Sequence, residues 1–227
     1  MKIGIIGAMQ MEVDALQAAM ESPASEIVSG ITFITGRIGN HDIVTAQCGI
    51  GKVFAAMCAQ TMILKYSPEA IINIGVAGSV TKGLQVLDIA IADKVCQHDM
   101  DTSPLGDPVG LISGINQIYF PADSHLVHVI ADAAEAKGCR YAIGTVASGD
   151  QFIHTPEKKK FIRETFGASA AEMEGGSIGH VCSVNKVPFA VLRTISDGDG
   201  AAMDYSVFAP KAAMQSIEVI MEALKLL

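Results

Sequence analysis

Several short runs of this sequence are apolar at nearly every position and end in glycine or in an acidic residue. Residues 2–7, 70–74 and 188–195 are clear examples, and none shows the alternation expected of a strand with one solvated face. A strand that is apolar on both sides has to be covered on both sides. These runs therefore predict a central sheet packed between two layers of helices.

Segments with helical spacing alternate with the apolar runs, which is the pattern of an α/β protein. Helices are predicted at residues 12–20, 52–65, 124–137, 156–166, 175–184 and 209–227. Further strands are predicted at residues 31–35, 37–46, 87–92, 94–97, 142–147 and 168–171. Ser124 is the expected N-cap of its helix, and residues 99–119 are expected to be irregular.

The chain shows no internal repeat, no low-complexity segment and no linker. Residues 1–227 are therefore predicted to form one domain, because α/β domains often reach this length. The predicted architecture is a three-layer αβα arrangement around a mixed, twisted sheet.

Composition excludes several classes of function. The formal net charge of −8 repels the phosphate backbone of a nucleic acid. The lysine run at residues 158–160 is interpreted as the solvated face of a polar helix. No stretch approaches the roughly 20 apolar residues of a membrane span. The 5 cysteines form no CxxC pair, which favours a reduced, cytoplasmic protein without a zinc site.

Two groups of residues were considered as metal ligands, and neither favours a metal. His98, Asp99 and Asp101 open a predicted loop, where such side chains commonly bond to the backbone. His125 and His128 lie one turn apart on a predicted helix, without further ligands nearby. The sequence thus implies no metal and no organic cofactor.

Two glycine-rich segments match phosphate-binding motifs only in part. Residues 49–52 (GIGK) precede a helix, but a P-loop needs an earlier glycine and a following serine or threonine, where this chain has Ala46 and Val53. Residues 4–9 (GIIGAM) lack the third glycine of a dinucleotide fingerprint. We interpret residues 49–52 as a tight turn whose N–H groups are candidates to face a site.

Three carboxylates follow buried strands and lie next to flexible backbone. Glu12 comes soon after the first predicted strand, Glu174 starts a predicted helix, and Asp197 ends a buried strand. Ligands of such sheets gather at strand ends, so these residues are candidates for acid and base chemistry. A favourable charge at a helix start would also account for Glu12 and Glu174, and an ion pair with Arg193 would account for Asp197.

Six segments form a set that is specific in its order and spacing. They are residues 3–12 (IGIIGAMQME), 48–52 (CGIGK), 72–78 (INIGVAG), 148–153 (SGDQFI), 172–174 (EME) and 193–197 (RTISD). Through them the chain resembles the 5′-methylthioadenosine/S-adenosylhomocysteine nucleosidases. The resemblance implies a nucleoside phosphorylase-like fold and hydrolysis of the N-glycosidic bond of both nucleosides, with release of adenine and the 5-thioribose product.

On the side of the base, the resemblance implies that Asp197 protonates N7 of adenine and that Ser196 supports this contact. The backbone of Ile153 is implied to read the adenine edge, and Phe152 to stack against the ring. Protonation makes adenine a better leaving group, which is work for an acid in a dry site.

On the side of the sugar, the resemblance implies that Glu174 binds the ribose hydroxyls and is oriented by Arg193. Glu12 is implied to polarise the water that attacks C1′, and Glu172 is expected to be a bystander. The remaining implied contacts are Met173 beneath the sugar, Ala77 and Gly78 near the ribose, and Met9, Ile50 and Tyr205 around the 5′-alkylthio group.

Hydrolysis is favoured over phosphorolysis, because phosphorylases of this superfamily hold phosphate with several arginines. The arginines of this chain are Arg37, Arg140, Arg163 and Arg193, and none lies in a glycine-rich turn after a strand. A phosphate dianion would lack charge-assisted partners. The alternatives kept open are a related purine nucleoside phosphorylase and a nucleosidase for aminodeoxyfutalosine or 5′-deoxyadenosine.

Some positions depart from the family pattern and leave the preferred 5′ substituent open. Val76 stands where a serine is common, Tyr205 stands where a phenylalanine is common, and residues 102–105 lack an expected aromatic. A lid that starts at residues 198–200 is shorter than usual. The family also implies a homodimer in which residues 99–119 lie near the pocket of the partner.

Overall fold

The apolar runs predicted from the sequence form the centre of one large sheet. In a computed structural model that describes residues 1–198 and 202–227, the strands are Lys2–Gly7 (β1), Glu21–Val28 (β2), Ile31–Ile38 (β3), His41–Gln47 (β4), Ala70–Ser79 (β5), Ile89–Gln97 (β6), Tyr119–Pro121 (β7), Tyr141–Ser148 (β8), Ala168–Glu172 (β9) and Phe189–Asp197 (β10). β1 and β10 are buried at nearly every position, as strands covered on both faces must be.

Pairing within the sheet is mixed, as predicted. β1 lies between β4 and β5 and runs parallel to both. β5 is also parallel to β10, whereas β10 pairs antiparallel with β6. At the other edge, β2, β3 and β4 form an antiparallel meander, with a turn at residues 39–40 between the last two.

Part of the sheet curls until it closes on itself. β5 pairs with β10, β10 with β6, β6 with β8, β8 with β9, and β9 pairs again with β5. Gly78 at the end of β5 is therefore the neighbour of Asp197 in β10 and of Ala171 in β9. This closure brings the ends of three strands to one edge of the sheet.

Helices cover both faces of the sheet, which confirms the αβα layers. They are Asp14–Ala18 (α1), Lys52–Tyr66 (α2), Ser124–Ala136 (α3), Pro156–Phe166 (α4), Gly175–Asn185 (α5) and Ala202–Leu226 (α6). α2 packs against α5 and α3 packs against α6, while α4 lies on β8 and β9. Two large apolar clusters, one on each face, fill the space between helices and strands.

The secondary-structure prediction is wrong at a missed strand, at a helix start and at an N-cap. β2 is absent from the prediction because it lies at the sheet edge and is exposed along almost its whole length, so it shows no apolar pattern. α6 begins at Ala202, before the predicted start at residue 209, and contains Pro210 in its interior, although proline is more typical of a first helical turn. α3 is capped by Asp123, whose Oδ1 accepts the N–H of Leu126 at 3.0 Å, and not by Ser124.

The lysine run at residues 158–160 does not lie wholly on a solvated face. Lys158 and Lys160 are exposed, but Lys159 is only 7% exposed. Lys159 shares the buried side of α4 with Ile162 and Phe166. The interpretation is wrong for Lys159, because residues three and seven positions apart lie on the same side of a helix.

Residues 99–119 are largely irregular, as expected. They contain a 3-10 turn at Ser103–Leu105 and an isolated bridge between Ile112 and Gln117. In the part of the chain that the structure describes, no helix combines the length and the hydropathy needed to cross a lipid bilayer.

Candidate active site

A cavity of about 430 Å³ opens at the sheet edge where β5, β9 and β10 meet. All the predicted site residues except Arg193 lie on its wall. They are Met9, Glu12, Ile50, Ala77, Gly78, Phe152, Ile153, Met173, Glu174, Ser196, Asp197 and Tyr205. Gln151 and Glu172, which were not predicted as site residues, also line it. The volume is that of a pocket for a small molecule.

Asp197 ends β10 with its carboxyl group buried. Oδ1 accepts the hydroxyl of Ser196 at 2.9 Å, whereas Oδ2 has no hydrogen-bond partner within the described chain. Burial raises the pKa of this carboxyl, while the bond from Ser196 and the charge of Lys159 act against the rise. Asp197 is thus disposed to hold a proton and to offer it to a ligand through Oδ2.

Gly78 gives the Asp197 carboxyl group the space that it occupies. A Cβ atom at position 78 would lie 2.8 Å from Asp197 Oδ2, well inside the separation at which carbon and oxygen attract each other. Any larger residue at position 78 would therefore have to displace this carboxyl group.

Glu12 lies in a 3-10 turn, Gln10–Glu12, just after β1. Its Oε2 accepts the N–H groups of Ala8 at 2.7 Å and Met9 at 2.8 Å, and its Oε1 accepts the N–H of Val76 at 3.1 Å. Burial raises the pKa of Glu12, and the charge of Arg193 opposes the rise. Glu12 caps the turn and also presents a fixed carboxylate to the cavity. Its interpretation as a favourable charge at a helix start is therefore compatible with its interpretation as a residue for acid and base chemistry.

Glu174 precedes α5 and faces the cavity from β9. Its Oε1 accepts the N–H of Gly51 at 2.8 Å. Burial, reinforced by the negative charge of Glu172, raises its pKa to about 7, while Arg193 and the Gly51 N–H limit the rise. Glu174 therefore exchanges a proton close to neutral pH.

Arg193 lies behind the cavity, and its principal partner is Glu172. The guanidinium Nη2 donates to Glu172 Oε2 and, at 2.5 Å, to Asn73 Oδ1. Its distance to Glu174 Oε2 is 3.7 Å. That Arg193 orients Glu174 therefore stays a prediction, whereas the alternative of an Arg193–Asp197 ion pair is wrong, because Arg193 pairs with Glu172 and Glu174.

Glu172 is not a bystander. Besides Arg193, it binds the backbone N–H groups of Glu174 at 3.0 Å and Gly175 at 2.8 Å, and it accepts the hydroxyl of Ser148. Although burial raises the pKa of Glu172, the charge of Arg193 and these donors outweigh burial and lower it. Glu172 stays ionised as the counter-ion of Arg193 and holds the start of α5 in place.

The turn at residues 49–52 contributes backbone to the site, as interpreted from the sequence. The Gly51 N–H bonds to Glu174, and the next N–H, that of Lys52, bonds to Asp150 Oδ1 at 2.8 Å. The Lys52 ammonium pairs with Asp99 Oδ1 at 2.5 Å. Asp99 is thus engaged in loop contacts, and no cluster of potential metal ligands occurs in the chain outside residues 199–201.

One end of the cavity is apolar. Phe152 and Tyr205 meet edge to face, with ring centroids 5.6 Å apart, and the Tyr205 hydroxyl lies 3.3 Å from Met9 Sδ. Ile50 completes this wall. A ligand with one polar part and one apolar part would match the cavity, because the carboxylates line the remaining wall.

Among the residues that the structure describes, no lysine or arginine lines the cavity. Of the arginines other than Arg193, Arg37 pairs with Asp42, Arg140 pairs with Asp88, and Arg163 donates to the carbonyl of Val80. A bound phosphate dianion would therefore face carboxylates without a cation on the wall.

Comparisons with known proteins agree with this site over the whole chain. Residues 2–225 match the family model of the phosphorylase superfamily. A 5′-methylthioadenosine/S-adenosylhomocysteine nucleosidase of Shewanella halifaxensis is 38% identical over 229 aligned positions, which cover 99% of each chain.

Two solved structures share the fold with a TM-score of 0.95 each. One is an S-adenosylhomocysteine nucleosidase of Streptococcus pyogenes in complex with 5-methylthiotubericidin, 32% identical, with 100% of this chain and 97% of that chain covered. The other is a futalosine hydrolase of Helicobacter pylori, 34% identical, with 100% and 98% covered. The chain therefore belongs to the phosphorylase superfamily and, within it, to the 5′-methylthioadenosine/S-adenosylhomocysteine nucleosidases.

The raised pKa of Glu174 predicts a cost in stability that depends on pH. Its folded-state pKa of about 7 exceeds the ordinary 4.5, so ionisation destabilises the folded state increasingly as pH rises from the lower to the higher value. We expect the free energy of unfolding of Glu174→Gln, taken relative to that of wild type, to be roughly 2–3 kcal/mol higher at about pH 8 than at about pH 5. Urea unfolding at both pH values measures this gain.

Glu157→Gln is the matched control for Glu174→Gln, because it removes an exposed carboxylate from the first turn of α4. Its stability relative to wild type should change little over the same pH range. A stability difference between Glu174→Gln and wild type that is the same at both pH values would contradict the raised pKa.

Proposed function

We propose that this protein hydrolyses the N-glycosidic bond of 5′-methylthioadenosine and S-adenosylhomocysteine. The observation that carries the proposal is one cavity with two kinds of carboxyl group: Asp197, with a free Oδ2, and Glu12, held by three N–H donors. Membership in the nucleosidase family and the complex of the Streptococcus pyogenes relative with 5-methylthiotubericidin support the same substrate class.

The reaction breaks the bond between C1′ of the ribose and N9 of adenine. Asp197 donates its proton to N7, so that adenine leaves as a neutral base. Positive charge that develops on the ribose is stabilised by the carboxylates near the sugar. Water adds to C1′ and gives its proton to Glu12, and the products are adenine and the free 5-thioribose derivative.

The two carboxyl groups must be in opposite protonation states. Glu12 has to be ionised to accept a proton, whereas Asp197 has to be protonated to donate one. Activity should therefore fall at acidic pH as Glu12 is protonated, and at alkaline pH as Asp197 loses its proton. Burial of Asp197 favours its protonated state. Burial also raises the pKa of Glu12, and the charge of Arg193 and the three backbone donors act against this rise to favour its ionised state.

Glu174 is assigned to the ribose hydroxyls. Its Oε1 is held by the Gly51 N–H, and Met173 precedes it on the cavity wall. Ala77 and Gly78 lie on the same wall at the end of β5. For the base, the segment Phe152 to Ile153 supplies a ring and a backbone edge. These assignments follow the family, and their support here is the shared cavity.

The apolar wall formed by Met9, Ile50 and Tyr205 is assigned to the 5′ substituent, for which a thioether is a suitable occupant. Val76 and Tyr205, which both line the cavity, depart from the family pattern. The Helicobacter pylori futalosine hydrolase shares the fold, so aminodeoxyfutalosine and 5′-deoxyadenosine remain the alternative substrates. Side-by-side rates of adenine release from the four nucleosides would rank them.

The direct test is adenine release from 5′-methylthioadenosine in phosphate-free buffer, followed by chromatography. We expect release without phosphate, because the described wall of the cavity carries no lysine or arginine to bind it. Asp197→Asn and Glu12→Gln should each lower turnover by about 10²–10⁴-fold, with circular dichroism unchanged. Release that requires phosphate would favour the phosphorylase alternative, and near-normal turnover in either variant would contradict its assigned role.

Gly78→Ala tests the placement of Asp197 without changing an ionisable group. The new methyl group would lie 2.8 Å from Asp197 Oδ2 and displace it, so we expect kcat to fall by about tenfold or more. Gly83→Ala is the control, since its Cβ would meet no atom closer than 3.7 Å. Equal kcat values in the two variants would argue against this placement.

The protein is proposed to be a cytoplasmic homodimer that acts in methionine salvage. Helix α2 exposes Val53, Phe54 and Met57 next to Ile50 at the cavity, and an exposed apolar surface of this kind suits a protein partner. Residues 99–119 of the second copy would then lie near the cavity.

Light scattering tests the homodimer proposal. Wild type should have the mass of two chains, and Val53→Glu should shift the mass toward one chain, because it places a charge within the apolar surface. Leu226→Glu, which alters an exposed leucine near the end of α6, should leave the mass unchanged. A monomeric wild type would refute the dimer.

A further inference from the structure

Lys159 is a buried lysine on a helix whose neighbouring lysines are exposed. Together with Ile162 and Phe166 it faces inward from α4, and its side chain lies beside an apolar cluster that includes both of these residues. A buried ammonium is costly unless hydrogen bonds replace its water. The partner of Lys159 therefore indicates what this charge does.

The partner is the backbone next to the proposed acid. Lys159 Nζ donates to the carbonyl oxygen of Gly198, the residue that follows Asp197. On the other side, the Gly198 N–H donates to Asp204 Oδ2 at 3.3 Å. A Cβ at Gly198 would meet no atom of the described chain within 4 Å. Hydrogen bonds from α4 and α6 thus hold the backbone on both sides of the Gly198 Cα atom.

We propose that Lys159 is a positioning residue for glycosidic cleavage, which fixes the Gly198 carbonyl and thereby the orientation of the Asp197 carboxyl group. This inference rests on the proposed nucleosidase function. Asp197 pairs with Gly78 only after a bulge in β10, so the sheet alone constrains the last residue of the strand less than those before it. The bond from Lys159 supplies the constraint on the far side of Asp197.

The same ammonium also acts on Asp197 through its charge. In the part of the chain that the structure describes, the titratable groups around Asp197 are Lys159 from α4, Asp204 and Tyr205 from α6, and the cavity-wall carboxylates Glu12, Glu172 and Glu174. Burial raises the pKa of Asp197, Lys159 opposes the rise, and Asp204 adds to it. Without Lys159, Asp197 should keep its proton to a higher pH and donate it less readily.

The test compares Lys159→Met with Lys160→Met. Both changes remove one positive charge and keep an unbranched side chain, but Lys160 is exposed. For Lys159→Met we expect kcat to fall by about tenfold, KM to change less than kcat, and the alkaline limb of the kcat profile to move to higher pH. Lys160→Met should behave as wild type. Lys159→Arg, which keeps the charge, should restore the position of the alkaline limb.

A second measurement does not depend on catalysis. Carbon-13 NMR of aspartate-labelled protein follows the titration of Asp197, with Asp197→Asn used to assign its signal. We expect Asp197 to titrate at higher pH in Lys159→Met than in Lys160→Met and wild type. If Lys159→Met does not fold, Lys159→Gln serves in the same comparison.

The outcomes separate this inference from the proposed function. A wild-type protein that releases no adenine would refute the function, and the NMR titration would still test the effect of Lys159 on Asp197. If adenine is released, but Lys159→Met matches Lys160→Met in both kcat profile and Asp197 titration, the positioning role is overturned. A fall in thermal stability without a change in either measurement would mark Lys159 as structural only.

Discussion

The site depends on one fully buried guanidinium, that of Arg193. A cation without water needs a close anion, and Glu172 supplies it. The remaining carboxylates, Glu12 and Glu174, then share the field of a charge that is already largely neutralised. Burial raises the pKa values of both, and Arg193 opposes this rise only in part, whereas its close charge and the neighbouring donors lower the pKa of Glu172. The ion pair thus leaves a buried arginine next to carboxylates that exchange protons.

The topology explains how groups so distant in sequence reach one cavity. Glu12 follows β1, Glu174 follows β9, and Asp197 ends β10. Only because β9 pairs with β5 and β5 pairs with β10 do these strand ends face each other. The helices cover the sheet, but it is the closure of its strands that brings the three carboxylates to one cavity. This agrees with the general tendency of α/β proteins to bind ligands at strand ends.

The features that could be predicted from the sequence are those that a local pattern of residues encodes. Buried strands were recognisable because two covered faces leave no polar positions, and the cavity residues were recognisable from motifs in a specific order. The pairing of Arg193 with Glu172 was not, since it joins residues on different strands. Strand β2 was missed because edge exposure removes the apolar pattern. Lys159 was misjudged as part of a lysine run, although its spacing to Ile162 and Phe166 contained the signal.

The closed arrangement of β5, β10, β6, β8 and β9 has a consequence for how the chain folds. β5 and β10 are neighbours in space, yet nearly half of the chain separates them in sequence. Contacts of such high contact order require the closure of long loops and form slowly. No fragment that lacks β10 can assemble the cavity, since Asp197 and the ion pair both arrive with this strand. After denaturation, activity should therefore return at the rate at which β10 pairs with β5, and not at the faster rate at which secondary structure appears.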